Sequence, residues 1–523
     1  MTTGPHSQDK SVGTEDIQLE IGQIARGAGL GLGGNIYYYF INFLFGILVA
    51  RQIGAEAFGL YTLGVTAVSL LARFSVVGLD LGSLRYVSIK RREGEGAAMW
   101  QVIWTSIGIG LTVSLIVAAA LAFYPQFFLN LFHWDDKKAL LKLFPILALA
   151  LPAMTMTSIG IAGTQAFRTL RYRVLIPNFI LPTVKLLVTL TLLFFLGVSA
   201  LPPTIGFVST QILGGVLSVY FLWRLARKIT RKVKWEPGLL SELMRYSLPL
   251  LLSSVLVYLN GRTEIMVLGI FNQANYSGIY NAALRLAGLS LLVLTAFNAI
   301  FAPVIADLHH RGRMAELGAL FKLVTRWVII VAMPIFLVQI LFPHQLIGLF
   351  GKDFASGALA LRILSIGTLI NFSTGAVGIM LLMSGHSSLA MFNSFLTLTI
   401  ALSLDFLLIR PYGILGAAIA GMISIALVNL INLGEVRYLL GIHPYNRYTL
   451  RPFAAAAPAL LGGWLWSRWL PVGNILELMV AAAVMSLIYV AALLVMGWNE
   501  DDRMMMAALS KRFRRLMPGR KDG

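Results

Sequence analysis

Residues 27–50 read Gly27-Ala28-Gly29-Leu30-Gly31-Leu32-Gly33-Gly34-Asn35-Ile36-Tyr37-Tyr38-Tyr39-Phe40-Ile41-Asn42-Phe43-Leu44-Phe45-Gly46-Ile47-Leu48-Val49-Ala50. No charged side chain interrupts the run. A bilayer core about 30 Å thick needs about 20 apolar helical residues, so the spacing predicts a helix that stays in the membrane. Ahead of it, residues 1–20 are polar and set Lys10 against Glu15, Asp16 and Glu20. They lack the short apolar core of a secretory signal, which predicts a cytoplasmic tail over 1–26.

Similar runs follow at roughly 60–84, 98–123, 141–165, 174–197 and 203–223, then 246–270, 277–305, 318–342, 357–383, 387–409, 413–434, 450–470 and 474–498. The chain therefore reads as an all-α polytopic protein with about 14 transmembrane helices. Composition agrees. Of 523 residues, 58% are hydrophobic and 12% charged, about half the 25% charge of a soluble domain, and mean hydropathy is +0.79. That excludes a soluble enzyme and a disordered chain. Cysteine is absent, so neither a thiolate nucleophile nor a cysteine metal site is possible.

The net charge of +19 forms no single stripe, which argues against nucleic acid. Basic residues cluster in alternate loops: Lys90, Arg91 and Arg92; Arg168, Arg171 and Arg173; Arg224, Arg227, Lys228, Arg231, Lys232 and Lys234; Arg311 and Arg313; Arg437, Arg447 and Arg451. The positive-inside rule makes those loops cytoplasmic, and an even span count puts both termini on that side of the inner membrane.

The chain also repeats. Phe58-Gly59-Leu60-Tyr61 matches Ser277-Gly278-Ile279-Tyr280, and Leu131-Phe132-His133-Trp134-Asp135 matches Leu349-Phe350-Gly351-Lys352-Asp353 at nearly the same offset. Two six-helix lobes, 27–223 and 246–440, are expected about a pseudo-two-fold along the membrane normal. A cytoplasmic central loop, 224–245, would join them. An additional helix pair, 441–498, and a basic cytoplasmic tail, 499–523, complete the chain. Two amphipathic stretches read as interfacial: Pro237 to Arg245, and the tail positions Met505, Leu509, Phe513 and Leu516.

Charges inside spans cost about 2.5–3.5 kcal/mol at mid-bilayer and mark function by default. Arg285 shares a stripe with Asn281, Gly288 and Thr295, which suggests a cationic cavity lining. Arg262 and Glu264 sit two apart, and the group they form with Arg285 reads as a gate or lock, with Glu264 as the counterion. Asn260 shares a face with Glu264. Lys185 shares a face with Asn178, Pro182 and Thr189. Arg73 and Asp80 are seven apart and within reach of a bridge through a neighbour, whereas Arg362 reads as snorkelling. Asn393, Thr397 and Asp405 recur along one span, and oxygen ligands of that kind suit a hard cation or a proton.

Other matches fail on context. Gly29-Leu30-Gly31-Leu32-Gly33-Gly34 satisfies a dinucleotide fingerprint but follows no strand. The sequon Asn371-Phe372-Ser373 lies inside a span. His309-His310 lacks metal-ligand spacing, and no nucleotide-binding loop occurs. No catalytic residue, metal or cofactor is expected.

The stretch Leu48-Val49-Ala50-Arg51-Gln52-Ile53-Gly54-Ala55-Glu56-Ala57-Phe58-Gly59-Leu60-Tyr61 resembles the opening signature of polysaccharide flippases. These are the Wzx-like members of the multidrug/oligosaccharidyl-lipid/polysaccharide exporter superfamily. The run from Arg245 to Ser254 and the run Gly278 to Leu286 resemble the start of that family's second half. Ile53 and Ala55 stand where members commonly have Leu and Pro, and Glu264 where aspartate is common. The resemblance implies movement of a polyprenyl-diphosphate-linked oligosaccharide between leaflets by alternating access. It further implies contact with membrane lipids, a groove for the prenyl tail at the last two spans, and a polymerase or ligase as partner machinery. The competing readings are a drug/cation antiporter of the same superfamily, a membrane glycosyltransferase or ligase, and a scaffold. The antiporter would want carboxylates in the N-terminal cavity, and the enzyme would need an acid in a sizeable loop.

Overall fold

The computed structural model describes residues 14–134, 138–230, 232–271, 274–469, 473–497 and 502. Among them every regular element is helical. Helices are the only open-ended way to satisfy backbone groups in lipid. The first lobe runs through α1 (Thr14–Val76), α2 (Leu79–Arg92), α3 (Gly96–Phe123), α4 (Pro125–Leu131), α5 (Leu140–Ala148), α6 (Ala150–Gln165), α7 (Arg171–Val174), α8 (Leu181–Leu196) and α9 (Leu201–Ala226), with a π-helical segment, Leu175–Ile180, joining α7 to α8. The second runs through α10 (Leu239–Asn260), α11 (Thr263–Phe271), α12 (Ala274–Ala287), α13 (Leu289–His310), α14 (Met314–Leu341), α15 (Pro343–Gly348), α16 (Ala358–Thr374), α17 (Val377–Met383), α18 (Ser387–Tyr412) and α19 (Ile414–Leu440). The final pair is α20 (Arg451–Trp469) and α21 (Ile475–Val495).

Among the described residues eleven helices are long and apolar enough to cross a membrane, or twelve when α5 and α6, bent by 42°, count as one span. The expected fourteen is reached only by splitting the continuous run Gly33–Arg92 and by adding α20, which is not among the twelve. The split has a physical basis. Gly54 turns the chain inside α1 with φ 77° and ψ 173°, a conformation costly for any residue with a Cβ.

The repeat is written into the backbone. Helices α3 and α14 are both 28 residues long. Each ends on an aromatic residue with a similar non-helical conformation, Tyr124 (φ −124°) and Phe342 (φ −117°), and passes at once into a short helix that opens on proline. Proline suits that first position because its missing N–H would be unpaired there anyway.

Burial sorts the helices. In the most apolar window of Gly33–Arg92, 72% of the residues are buried, against 17% for Arg171–Leu196 and Leu289–His310. The first run is thus the hub of the molecule, and the others show apolar faces to lipid, Phe194 and Phe195 among them.

The central segment departs from expectation. Pro237 to Arg245 is not a separate interfacial piece, because Leu239 already begins α10 and both Leu239 and Leu243 are buried. The connection is strapped to the first lobe. Trp100 Nε1 donates to Thr230 O at 2.8 Å, Lys234 N to Ala97 O at 3.1 Å, and Glu236 N to Gln101 Oε1 at 2.6 Å. Lys90 adds ion pairs to Glu95 at 2.5 Å and Glu236 at 3.1 Å. The tail positions from Met505 onward lie outside the described residues.

Candidate functional site: a cationic cavity between the lobes

The two lobes meet along α1 and α12, at matching positions of the repeat. A Cβ on Gly59 would lie 1.8 Å from Ala274 O, and one on Gly278 would lie 2.4 Å from Ala55 O. Beside this crossing Asn281 Nδ2 donates to Thr62 Oγ1 at 3.0 Å. Trp134 closes the same end, its indole N–H donating to Met266 O at 3.2 Å. Only glycine permits so close a backbone approach.

A cavity of about 280 Å³ opens next to the crossing, lined by Tyr38, Tyr39, Asn42 and Phe43 of α1, by Arg262, and by Asn281, Arg285 and Gly288. Arg285 Nη1 donates to Asn42 O at 3.0 Å, and its guanidinium lies 5.9 Å from the Phe58 ring centre. From the opposite lobe, Lys185 Nζ donates to Asn42 Oδ1 at 2.6 Å and lies 4.2 Å from the Phe45 ring centre. Arg262 adds like charge within electrostatic range of Arg285. Among the described residues no carboxylate comes within ion-pair distance of Lys185, Arg262 or Arg285. Lys185 and Arg285 are therefore held by neutral oxygens and ring faces, and their charge is left for something in the cavity.

The structure brings Arg285, Asn281, Gly288 and Arg262 to the cavity wall and places Lys185 beside it, bonded to the lining residue Asn42. Thr295 points elsewhere, bonding Leu291 O in an exposed position. Asn178 lies in the π-helical segment and bonds Asn35 at 2.9 Å, which ties that segment to α1. Arg73 is exposed and outside the cavity lining, and no bridge to Asp80 forms among the described residues. Instead Asp80 Oδ1 accepts from the adjacent Leu81 N. Arg362 donates to Ile340 O.

Glu264 is not the counterion of Arg285. It is buried on α11 against α18 and α19, where a Cβ on Gly421 would lie 3.1 Å from both Glu264 Oε1 and Tyr280 Oη. Asp405, fully buried on α18, lies within electrostatic range of it, beside the Thr263 hydroxyl. The expected trio of Asn393, Thr397 and Asp405 is also divided. Asn393 bonds Asn432 and Glu435, Thr397 bonds back to Asn393 O, and Asp405 sits with Glu264.

Asn42 escapes a reading by charge because it is neutral. The available signal was a lone amide among Ile41, Phe43, Leu44 and Phe45, since a buried amide needs partners.

Fold and cavity together define a two-lobed polytopic membrane protein with a cationic cavity between its halves. Residues 24–309 match the model of the polysaccharide biosynthesis protein family, and the chain belongs to that family. A 217-residue stretch, 41% of this chain, is 23% identical to the probable low-salt glycan biosynthesis flippase Agl15 of Haloferax volcanii. The match spans 46%, or about half, of that relative's length. The fold is similar to lipid II flippase MurJ in an inward closed conformation, with a TM-score of 0.72 and 14% identity over 88% of this chain and 96% of that one. It is also similar to the inward-facing form of a multidrug resistance MATE family transporter, with a TM-score of 0.61 and 15% identity over 77% and 94%.

Proposed function

We propose that the protein flips a polyprenyl-diphosphate-linked oligosaccharide across the cytoplasmic membrane by alternating access. The observation that carries this reading is the positive charge of Arg262 and Arg285 on the cavity wall and of Lys185 beside it, with no carboxylate at ion-pair distance among the described residues. A half-buried cation without a carboxylate partner is costly until an anion joins it. A diphosphate supplies that anion, and arginine matches phosphate oxygens geometrically. Tyr38 and Tyr39, on the same wall, offer ring faces to the saccharide.

In this reading the basic loops and both termini face the cytoplasm, and the Gly59–Gly278 crossing with Trp134 is the outer closure. The lobes rock about α1 and α12 while the prenyl tail stays in lipid, with α20 and α21 as its groove. The buried pair Glu264 and Asp405, rather than Asp405 with Thr397 and Asn393, is where a coupling proton or cation binds. A polymerase or ligase acts on the delivered unit. The drug/cation antiporter is the competing reading, and it would need a negatively charged cavity where this one is positive.

The test is leaflet translocation of a fluorescent polyprenyl-diphosphate oligosaccharide in proteoliposomes, with wild type, Arg285→Ala and empty vesicles side by side. Protein-dependent flipping that falls in Arg285→Ala supports the assignment. No flipping, with efflux of organic cations instead, moves the protein to the antiporter class.

A further inference from the structure

One polar cluster in the second lobe belongs neither to the cationic cavity nor to the Glu264–Asp405 pair. Asn393 on α18 is 3% exposed. Its Nδ2 serves two acceptors on α19 at once, Asn432 Oδ1 at 2.9 Å and Glu435 Oε2 at 2.5 Å. Its own Oδ1 is buried with no partner. Glu435 has no basic side chain within ion-pair distance among the described residues. Acceptors thus outnumber donors in a place where an unsatisfied oxygen costs about 1–3 kcal/mol.

The two ends of an asparagine amide are nearly the same size. A half-turn of the Asn393 side chain brings Oδ1 onto Asn432 Oδ1 and Glu435 Oε2. Three oxygens then converge, an arrangement that is repulsive alone and favourable around a hard cation. One carboxylate balances one positive charge. We propose that Asn393, Asn432 and Glu435 bind a partly dehydrated monovalent cation of the sodium class.

The site is distinct from Asp405, which lies further along α18 by about 18 Å at the helical rise. It is wired to the cavity by a short path. Ser394, the next residue, accepts from Asn260 Nδ2 at 2.9 Å. Asn260 closes α10, and the following Gly261 and Arg262 line the cavity. A cation that draws the start of α18 onto α19 moves Ser394 and, through Asn260, the break that carries Arg262. This goes beyond the flipping assignment, and its test uses no lipid-linked substrate, so either can fail alone.

The experiment is equilibrium binding of radioactive sodium to the purified full chain in detergent, with lithium and potassium as competitors. Wild type is expected to bind saturably, and Glu435→Gln to weaken one component by roughly tenfold or more, since it removes the charged oxygen ligand. Asn393→Asp keeps an oxygen in place and should hold or tighten binding, which separates ligation from misfolding. The double variant Glu264→Gln/Asp405→Asn should retain the Glu435-dependent component. No saturable binding of any of the three ions, or a wild-type isotherm in Glu435→Gln, overturns the proposal. For the path, sodium should change thiol labelling of Leu284→Cys in the otherwise cysteine-free chain, and Asn260→Leu should abolish that change. A change that persists in Asn260→Leu removes the path.

Discussion

Gly59 and Gly278, which hold the same place in the two halves of the repeat, pack against each other across the lobe interface, with an ideal Gly278 Cβ only 2.9 Å from Gly59 N. Their neighbours pair in the same way, Ala55 against Gly278 and Ala274 against Gly59, while Thr62 bonds Asn281. A two-fold relation makes each contact occur twice with the partners exchanged. The pseudo-symmetry axis therefore passes through this crossing.

Gly59→Ala should destabilise the closed form by about 1–3 kcal/mol, the usual cost of overpacking, and Gly278→Ala should behave similarly. The readout is labelling of an Asn281→Cys reporter by a membrane-impermeant thiol reagent, against a background free of native cysteine. Faster labelling in both glycine variants is expected. Unchanged labelling would show that the crossing does not close the cavity.

Asn42→Leu should weaken substrate engagement by removing the Lys185 partner, while the Arg285 bond to the residue 42 carbonyl survives. A hydrogen bond to a charged group contributes about 1.5–3 kcal/mol, so transport half-saturation should rise by roughly ten- to a hundredfold. Lys185→Met should cost a similar amount, and the double variant less than the sum, because contacting residues couple. Additive losses would separate the two residues functionally.

Trp134 is fully buried and joins the lobes. Trp134→Ala should lower stability by about 3–5 kcal/mol through the cavity it leaves, and Trp134→Phe by about 1 kcal/mol through the lost bond and reduced fit. Thermal melts of the purified protein distinguish the two, and equal losses would contradict a packing role for the ring.

The strap between α3 and the central segment should loosen in acid. Lys90, and after it Lys234 of the central segment, hold the Glu95 carboxyl below the ordinary carboxylate range. A lowered folded value means the ion pair stabilises above the unfolded pKa and is lost as pH falls through the folded one. Hydrogen exchange at Lys234 N, corrected for its intrinsic pH dependence, should therefore rise below about pH 4. Glu95→Gln should show that faster exchange already at neutral pH. If exchange in wild type stays flat on acidification, the hydrogen bonds of the strap hold it without the ion pair.

Much of this was legible in the chain itself. The run from Gly27 to Ala50 marks a bilayer helix because lipid imposes a length and forbids charge. The motifs around Gly59 and Gly278 disclose the two lobes because each must build the same helix crossing. Arg285 could be singled out because a charge in a span has a cost that function must offset. Partnership was not legible. Glu264 and Arg262 are two residues apart, yet α11 turns one toward Asp405 and the break at Gly261 leaves the other at the cavity. Asn42 gathers Lys185 and Arg285 from different lobes, and no periodicity within one helix encodes a contact between three. The sequence by itself determined the class, the duplication and the surplus of positive charge, because these follow from composition and spacing. Only the tertiary structure decided which charges stay unpaired, because ion pairing depends on distances of a few ångströms between helices far apart in the chain.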